Sequence, residues 1–160
     1  MPSEQGDVVI READSSDFDF VVKLMDDALT PYYGGDHRAH AIRIFQAHVS
    51  GGRDQIGHFS FEQKMFVVTL NSKAAGVIHV VGKRQGTYKI SPLVVSPEYR
   101  GNRGLGTLLL KHAEAYARER GARQMYCTVA EQNASALQFF IRHRYILAGL
   151  HLPAIVGLLS

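Results

Sequence analysis

Arg100, Gly101, Arg103, Gly104 and Gly106 crowd together between the apolar run Leu93-Val94-Val95 and a helix-forming stretch that opens Leu105-Gly106-Thr107. The first turn of a helix leaves amide N–H groups without internal partners, and the helix dipole adds partial positive charge there. Glycines let such a backbone approach a phosphate closely, and arginines add charge and directional donors. The stretch therefore suits an anion, and its spacing narrows the choice. A P-loop ends in Gly-Lys-Ser/Thr, whereas Thr107 follows Gly106 with no lysine between them. The dinucleotide fingerprint is GxGxxG after a first strand; here the order is GxxGxG, late in the chain.

The pattern Leu93-x-Val95-x-Pro97, then Arg100 and Gly104-x-Gly106 opening a helix, resembles the acetyl-CoA-binding motif of the GNAT superfamily of N-acetyltransferases. Further on, Asn133, Ala136, Phe139 and Phe140 resemble that family's Asn-x-x-Ala-x-x-aromatic-Tyr helix, in the right order and at the right distance. The resemblance implies an α/β (α+β) fold: a mixed, mostly antiparallel twisted sheet with helices on both faces and strands splayed at the acetyl-CoA site. It implies that acetyl-CoA is the co-substrate, held by Leu93, Val94, Val95, Arg100, Gly101, Asn102, Arg103, Gly104, Leu105, Gly106 and Thr107, with Asn133 and Phe140 from the later helix. It further implies direct acetyl transfer to a primary amine in a ternary complex, with no metal. The alternatives are a peptide or protein acceptor, and a catalytically weak acyl-CoA-binding module.

Three positions depart from the family pattern. The step from Arg100 to Gly104 is one residue longer, so either the loop bulges or Arg103 takes over the phosphate contact. Phe140 stands where the family often has a tyrosine that protonates the leaving thiolate. Arg144-Tyr145 replaces the family's Gly-Phe pair.

An attacking amine must shed a proton, so a base is sought. His79 alternates with Val77 and Val81 on a strand and is either a core residue or that base; Glu62, before a strand, is the second candidate. Tyr32 and Tyr33, in the loop where the family often builds its acceptor site, are candidate substrate contacts, as are Tyr88 and Ser91 on the strand leading to the motif. Asp36 reads as a helix cap and Cys127, alternating with Met125 and Val129, as a buried apolar residue. The stretch 32–63 is long enough to cover a cleft, which favours a small-molecule acceptor.

The elements that must position these residues follow from periodicity. A strand is expected at 8–11. A helix then carries Phe18, Val21, Val22, Met25, Ala28 and Leu29 and ends at Thr30-Pro31. Asp36 opens a second helix with Ile42, Phe45 and Val49 on one face. Residues 53–63 read as irregular. Strands are expected at 65–70, 75–81 and 88–95, with 71–73 as a turn. A helix at 104–120, a strand at 123–129, a helix at 134–143 and a strand at 145–152 follow, which requires a crossover and a partly parallel sheet. The apolar run 154–159 reads as a final strand or a homodimer edge.

The chain has 160 residues, 46% of them hydrophobic and 21% charged, with a net charge of +3. This is the composition of one globular domain spanning 1–160, and it excludes disordered and fibrous classes. The charge is too small to mark a nucleic-acid partner. A single cysteine excludes a disulfide framework and favours a reducing, cytoplasmic setting. Eight scattered histidines suggest no metal site. The first residues lack the basic and apolar regions of a signal peptide, and no run is long enough to span a membrane.

Overall fold

The computed structural model describes residues 6–51, 60–84, 86–101, 104–130, 132–147 and 154–159. Its elements are β1 (Val8–Glu12), α1 (Phe18–Leu29), α2 (His37–Val49), β2 (Ser60–Leu70), β3 (Lys73–Lys83), β4 (Thr87–Val95), α3 (Leu105–Glu119), β5 (Gln124–Thr128), α4 (Ala134–Arg142), β6 (Ile146–Leu147) and β7 (Ala154–Leu158). They form one mixed sheet in the order β1-β2-β3-β4-β5-β7-β6. Among the described residues only β4 and β5 run parallel; every other pair is antiparallel. That single parallel pair exists because α3 carries the chain back across the sheet between the two strands.

Local chemistry sets the element ends. Asn71 and Ser72 both take positive φ, 51° and 68°, which gives the tight hairpin between β2 and β3 its twist. The Asp36 carboxylate accepts the Ala39 amide at 2.9 Å and caps α2 as expected. Thr30 closes α1 by donating its hydroxyl to the Asp26 carbonyl.

Two apolar layers hold the helices on opposite faces of the sheet. On one face Val21, Met25, Ile44 and Phe45 of α1 and α2 pack on Met65, Val67, Val77 and Val94. On the other, Leu105, Leu109, Leu110 and Phe140 of α3 and α4 pack on Phe66, Val68, Ile78 and Val80. Gly76 marks the closest approach of α3: a Cβ there would lie 3.0 Å from the Val94 carbonyl and 3.2 Å from Leu109 Cδ1. Among the described residues no helix is long and apolar enough to cross a membrane.

Two expectations are corrected. Strand β2 begins at Ser60, inside the stretch 53–63 expected to be irregular, and residues 52–59 lie outside the described set. The buried face of α2 is Ala41, Ile44, Phe45 and His48, while Val49 is exposed. His48 goes inward because both ring nitrogens are satisfied: Nε2–H donates to the Ala13 carbonyl at 2.8 Å and Nδ1 accepts the Met65 amide at 3.1 Å. The strand expected at 145–152 is seen at Ile146–Leu147, and residues 148–153 lie outside the described set. The run 154–159 supplies β7, which inserts between β5 and β6 as an interior strand.

Candidate active site

β4 and β5 pair only at Thr87, Tyr88 and Lys89 against Gln124, Met125 and Tyr126. Beyond Lys89, β4 keeps β3 alone as its partner, so the sheet opens into a V. A bulge accompanies the opening: Ile78 pairs with Leu93 but Val80 with Ile90, so β4 carries one extra residue opposite His79. The extra residue reverses which side chains face which layer. Tyr88 and Ile90 join the α3 layer before it, and Leu93 and Val95 pack there after it, with Val94 on the α1–α2 side. Lys89, paired with Val81, points to the α1–α2 side at the vertex of the V.

The opening is a cleft of about 560 Å³. Its walls come from the loop after α1, from α2, from residues 89–95 of β4, from the first turn of α3, from the end of β5 and from α4.

One end is built for an anion. The first intrahelical bond of α3 runs from the Leu108 amide to the Gly104 carbonyl, 3.0 Å, so the amides of Leu105, Gly106 and Thr107 have no helical acceptor. Gly104 caps this turn in the left-handed conformation, φ 63°, and a Cβ on it would meet nothing within 4 Å. Glycine stands there for backbone shape and an open approach. Gly101 is left-handed too, φ 79°. Arg100 lines the cleft, and its Nε donates to the Val95 carbonyl at 2.9 Å, which ties the guanidinium to the end of β4. Asn102 and Arg103 lie outside the described residues.

Thr107 and Asn133 line this end as expected. Thr107 donates its hydroxyl to His143 Nε2 at 2.9 Å, because His143 Nδ1–H is committed to the Phe139 carbonyl at 2.7 Å. Asn133 caps α4 by accepting the Ala136 amide at 3.2 Å. Arg142, in the last turn of α4, also lines the cleft. Sequence reasoning passed over it, although it lies two residues beyond Phe140 on the motif helix.

Phe140 is buried and lines the cleft, its ring 5.2 Å from Phe139 and 5.3 Å from Tyr145. Tyr145 turns away and donates to buried Glu114 at 2.8 Å; burial pushes its pKa up. Arg144 holds φ 68°, which explains the family's glycine at that position.

The other end is different in kind. Tyr32 and Tyr33 form its lip, and the Tyr33 phenol lies against the backbone of Ala130. His40 of α2 and Lys89 line it. His40 Nδ1 accepts from the Arg43 guanidinium at 3.0 Å, so its proton resides on Nε2. Burial lowers the His40 pKa, and the charges of Arg43, His37 and Lys89 lower it further. Cys127 borders the cleft, but burial pushes its thiol up to about 12, so it stays protonated and is no nucleophile.

The expected bases do not line the cleft. His79 is buried, donates Nδ1–H to the Ser91 carbonyl at 2.8 Å and meets the Gln63 side-chain amide at 2.7 Å through Nε2. Burial holds its pKa down to about 4, and its ring braces the bulge. Glu62 and Tyr88 sit on the α3 face. There the Tyr88 hydroxyl donates to Glu62, the Tyr116 hydroxyl donates to it at 3.1 Å, and Arg120 Nε bridges it at 3.1 Å. The alternation that puts Tyr88 in this cluster puts Lys89 in the cleft. Ser91, Tyr32 and Tyr33 do line the cleft.

The comparisons with known proteins agree with this geometry. The chain is 38% identical over 61 residues to a streptothricin acetyltransferase of Streptomyces lavendulae, covering 38% of this chain and 32% of that one. It spans about a third of the length of the curated relatives it matches, 32% and 38%. An acetyltransferase of the GNAT family from Staphylococcus aureus superposes with a TM-score of 0.77 at 14% identity, covering 96% of this chain and all of that one. The PaiA N-acetyltransferase of Thermoplasma acidophilum, solved with coenzyme A, superposes with a TM-score of 0.76 at 14% identity over 95% and 99% of the two chains. A model of the acetyltransferase (GNAT) family matches residues 22–144, well over half of the sequence. The chain belongs to the acetyltransferase (GNAT) family.

Proposed function

We propose that the protein transfers an acetyl group from acetyl-CoA to a primary amine of a small molecule. The observation that carries this is one continuous cleft that joins the amides of residues 105–107, which lack a helical acceptor, to an edge of β4 that is unpaired among the described residues. An anion-binding helix start and an open strand edge suit the two halves of a coenzyme A: the pyrophosphate and the amide-bearing pantetheine arm. Acetyl-CoA supplies the activated acyl group. The amides of Leu105, Gly106 and Thr107, with Arg100, hold its phosphates, and the backbone of Leu93, Val94 and Val95 holds its arm and orients the acyl carbonyl.

The amine must arrive neutral. Lys89 lines the same cleft, and a positive charge there disfavours an ammonium. Among the described lining residues there is no carboxylate, so the proton shed on attack passes to water at the mouth. Phe140 donates no proton, and the coenzyme leaves as a thiolate that solvent protonates.

The test incubates the protein with acetyl-CoA and a panel of small amines and an N-terminally free peptide. Free thiol and the mass of each acceptor are then read. Acetylated small amines, with the peptide at least ten-fold slower, are expected. A peptide-only product would overturn the choice of acceptor, and tight acetyl-CoA binding with no acetylated product would favour a binding module.

A further inference from the structure

Two ends of one cleft both carry positive charge, and a single coenzyme A cannot account for both. Lys89 lies six residues up β4 from Val95, which adjoins the glycine turn. At a rise of about 3.3 Å per residue this is about 20 Å, beyond the reach of a lysine side chain from one end to the other. The cations at the vertex therefore serve something other than the pyrophosphate.

What they serve follows from their arrangement. Lys89 projects from the last paired rung of β4, onto the face covered by α1 and α2. His40 reaches the same space from α2. Arg43 occupies His40 Nδ1 as a donor, so the neutral ring has only its Nε2–H to offer. An ammonium and a fixed N–H donor line the same cleft, near enough for the charge of Lys89 to bear on His40, and both are donors. Helix α2 adds His37, Arg38 and Arg43 and contains no acidic residue. Among the described residues no carboxylate bridges Lys89. Tyr32, Tyr33 and Ser91 complete the rim with hydroxyls that donate or accept.

Resting on the acetyl-transfer reading above, we infer that the acceptor is an amine that also carries an anionic group, a carboxylate or a phosphate, which seats against Lys89 and the Nε2–H of His40. The pairing has a second consequence for the chemistry. The anion offsets the charge of Lys89 while it is bound. Polyamines and other purely cationic amines meet like charge at the same place and are rejected. Lys89 and His40 are specificity-determining residues in this scheme, and Arg43 is a positioning residue that fixes the tautomer of His40.

The experiment uses matched pairs: β-alanine against β-alaninamide, O-phosphoethanolamine against ethanolamine, and putrescine as the cationic control. kcat/KM is measured for each with saturating acetyl-CoA, in the wild type, Lys89→Gln and Lys89→Glu. The expected result is a preference of about 10- to 100-fold for the anionic member of a pair, the range of one charge-assisted hydrogen bond. The larger ratio identifies carboxylate or phosphate as the natural group. Lys89→Gln brings that ratio toward one while the CoA dissociation constant stays within about two-fold, and Lys89→Glu turns the preference toward putrescine. Uncharged or cationic members equal to or better than anionic ones in the wild type would overturn the inference, as would a preference that survives Lys89→Gln. If no amine is turned over, the same pairs are titrated into the CoA-saturated protein by calorimetry and judged by the same ratios. If CoA itself fails to bind, the acetyl-transfer reading falls, and the ratios are read on the free protein.

Discussion

At the α3 end of the cleft the proposed recognising groups are backbone amides of three consecutive residues, held by a left-handed glycine. At the β4–β5 vertex they are the side chains of His40 and Lys89, far apart in sequence and joined only by the packing of α2 on the sheet. A site made of consecutive backbone groups depends on local conformation, so a change of one residue's shape or charge disables it. A site made of side chains from separate elements depends on the fold, and its chemistry changes by substitution without loss of the architecture. The first end suits an invariant cofactor; the second suits an acceptor that differs between relatives.

The largest effect is expected at the backbone end. Gly104→Asp places a carboxylate at the cap of α3, the proposed phosphate site. The space around Gly104 is open, but its left-handed φ of 63° strains any side chain, so a stability loss of about 1–2 kcal/mol is expected. CoA affinity is expected to fall by about 100-fold, the loss of one or two charge-assisted bonds. Calorimetry against thermal melting reads the split, and parallel losses in both would mean the turn is a structural cap only.

His79 separates the cleft from its scaffold. His79→Leu leaves the Ser91 carbonyl and the Gln63 amide short of a partner and is expected to cost about 2–3 kcal/mol. Its folded pKa of about 4 lies below the unfolded 6.5, so the folded state binds its proton less readily. The stability contributed by the neutral ring is full above pH 6.5 and is lost as pH falls toward 4, by about 3 kcal/mol in all. His79→Leu removes that part of the acid destabilisation and leaves the shape of the pH–rate profile unchanged. An acidic limb that vanishes with His79 would make it the base after all.

The elements around the glycine turn were legible because their signals are contiguous: Leu93, Pro97, Gly104 and Gly106 are read in one window, and α1, α3 and α4 show their apolar faces plainly. The rest was hidden for physical reasons. The buried face of α2 includes His48, a polar ring satisfied by Ala13 and Met65, and a hydrophobic pattern misses such a residue. Strand alternation identifies neither Lys89 nor the parity change after it, because the extra residue of the bulge is set by pairing with β3 and by the His79 ring beneath it. Glu62 and Tyr88 looked available because the sequence does not reveal that Tyr116 and Arg120 of α3 close over them.

The smallest effect tests the last of the family departures. Arg144 holds a left-handed conformation that a glycine adopts without strain, so Arg144→Gly is expected to stabilise by about 1 kcal/mol, read by chemical denaturation, with CoA affinity unchanged. A loss of CoA affinity would extend the backbone end of the cleft to this residue.

The most direct measurement is thermal stabilisation by acetyl-CoA and CoA, compared with ATP and NAD at equal concentration. A ligand at 100 times its dissociation constant adds about 2.7 kcal/mol, a rise of several degrees for a domain of this size. The account predicts that rise with both coenzyme A forms, a smaller one with ATP or NAD, and its loss in Gly104→Asp. No shift with either coenzyme A form, or an equal shift with all four ligands, would contradict it.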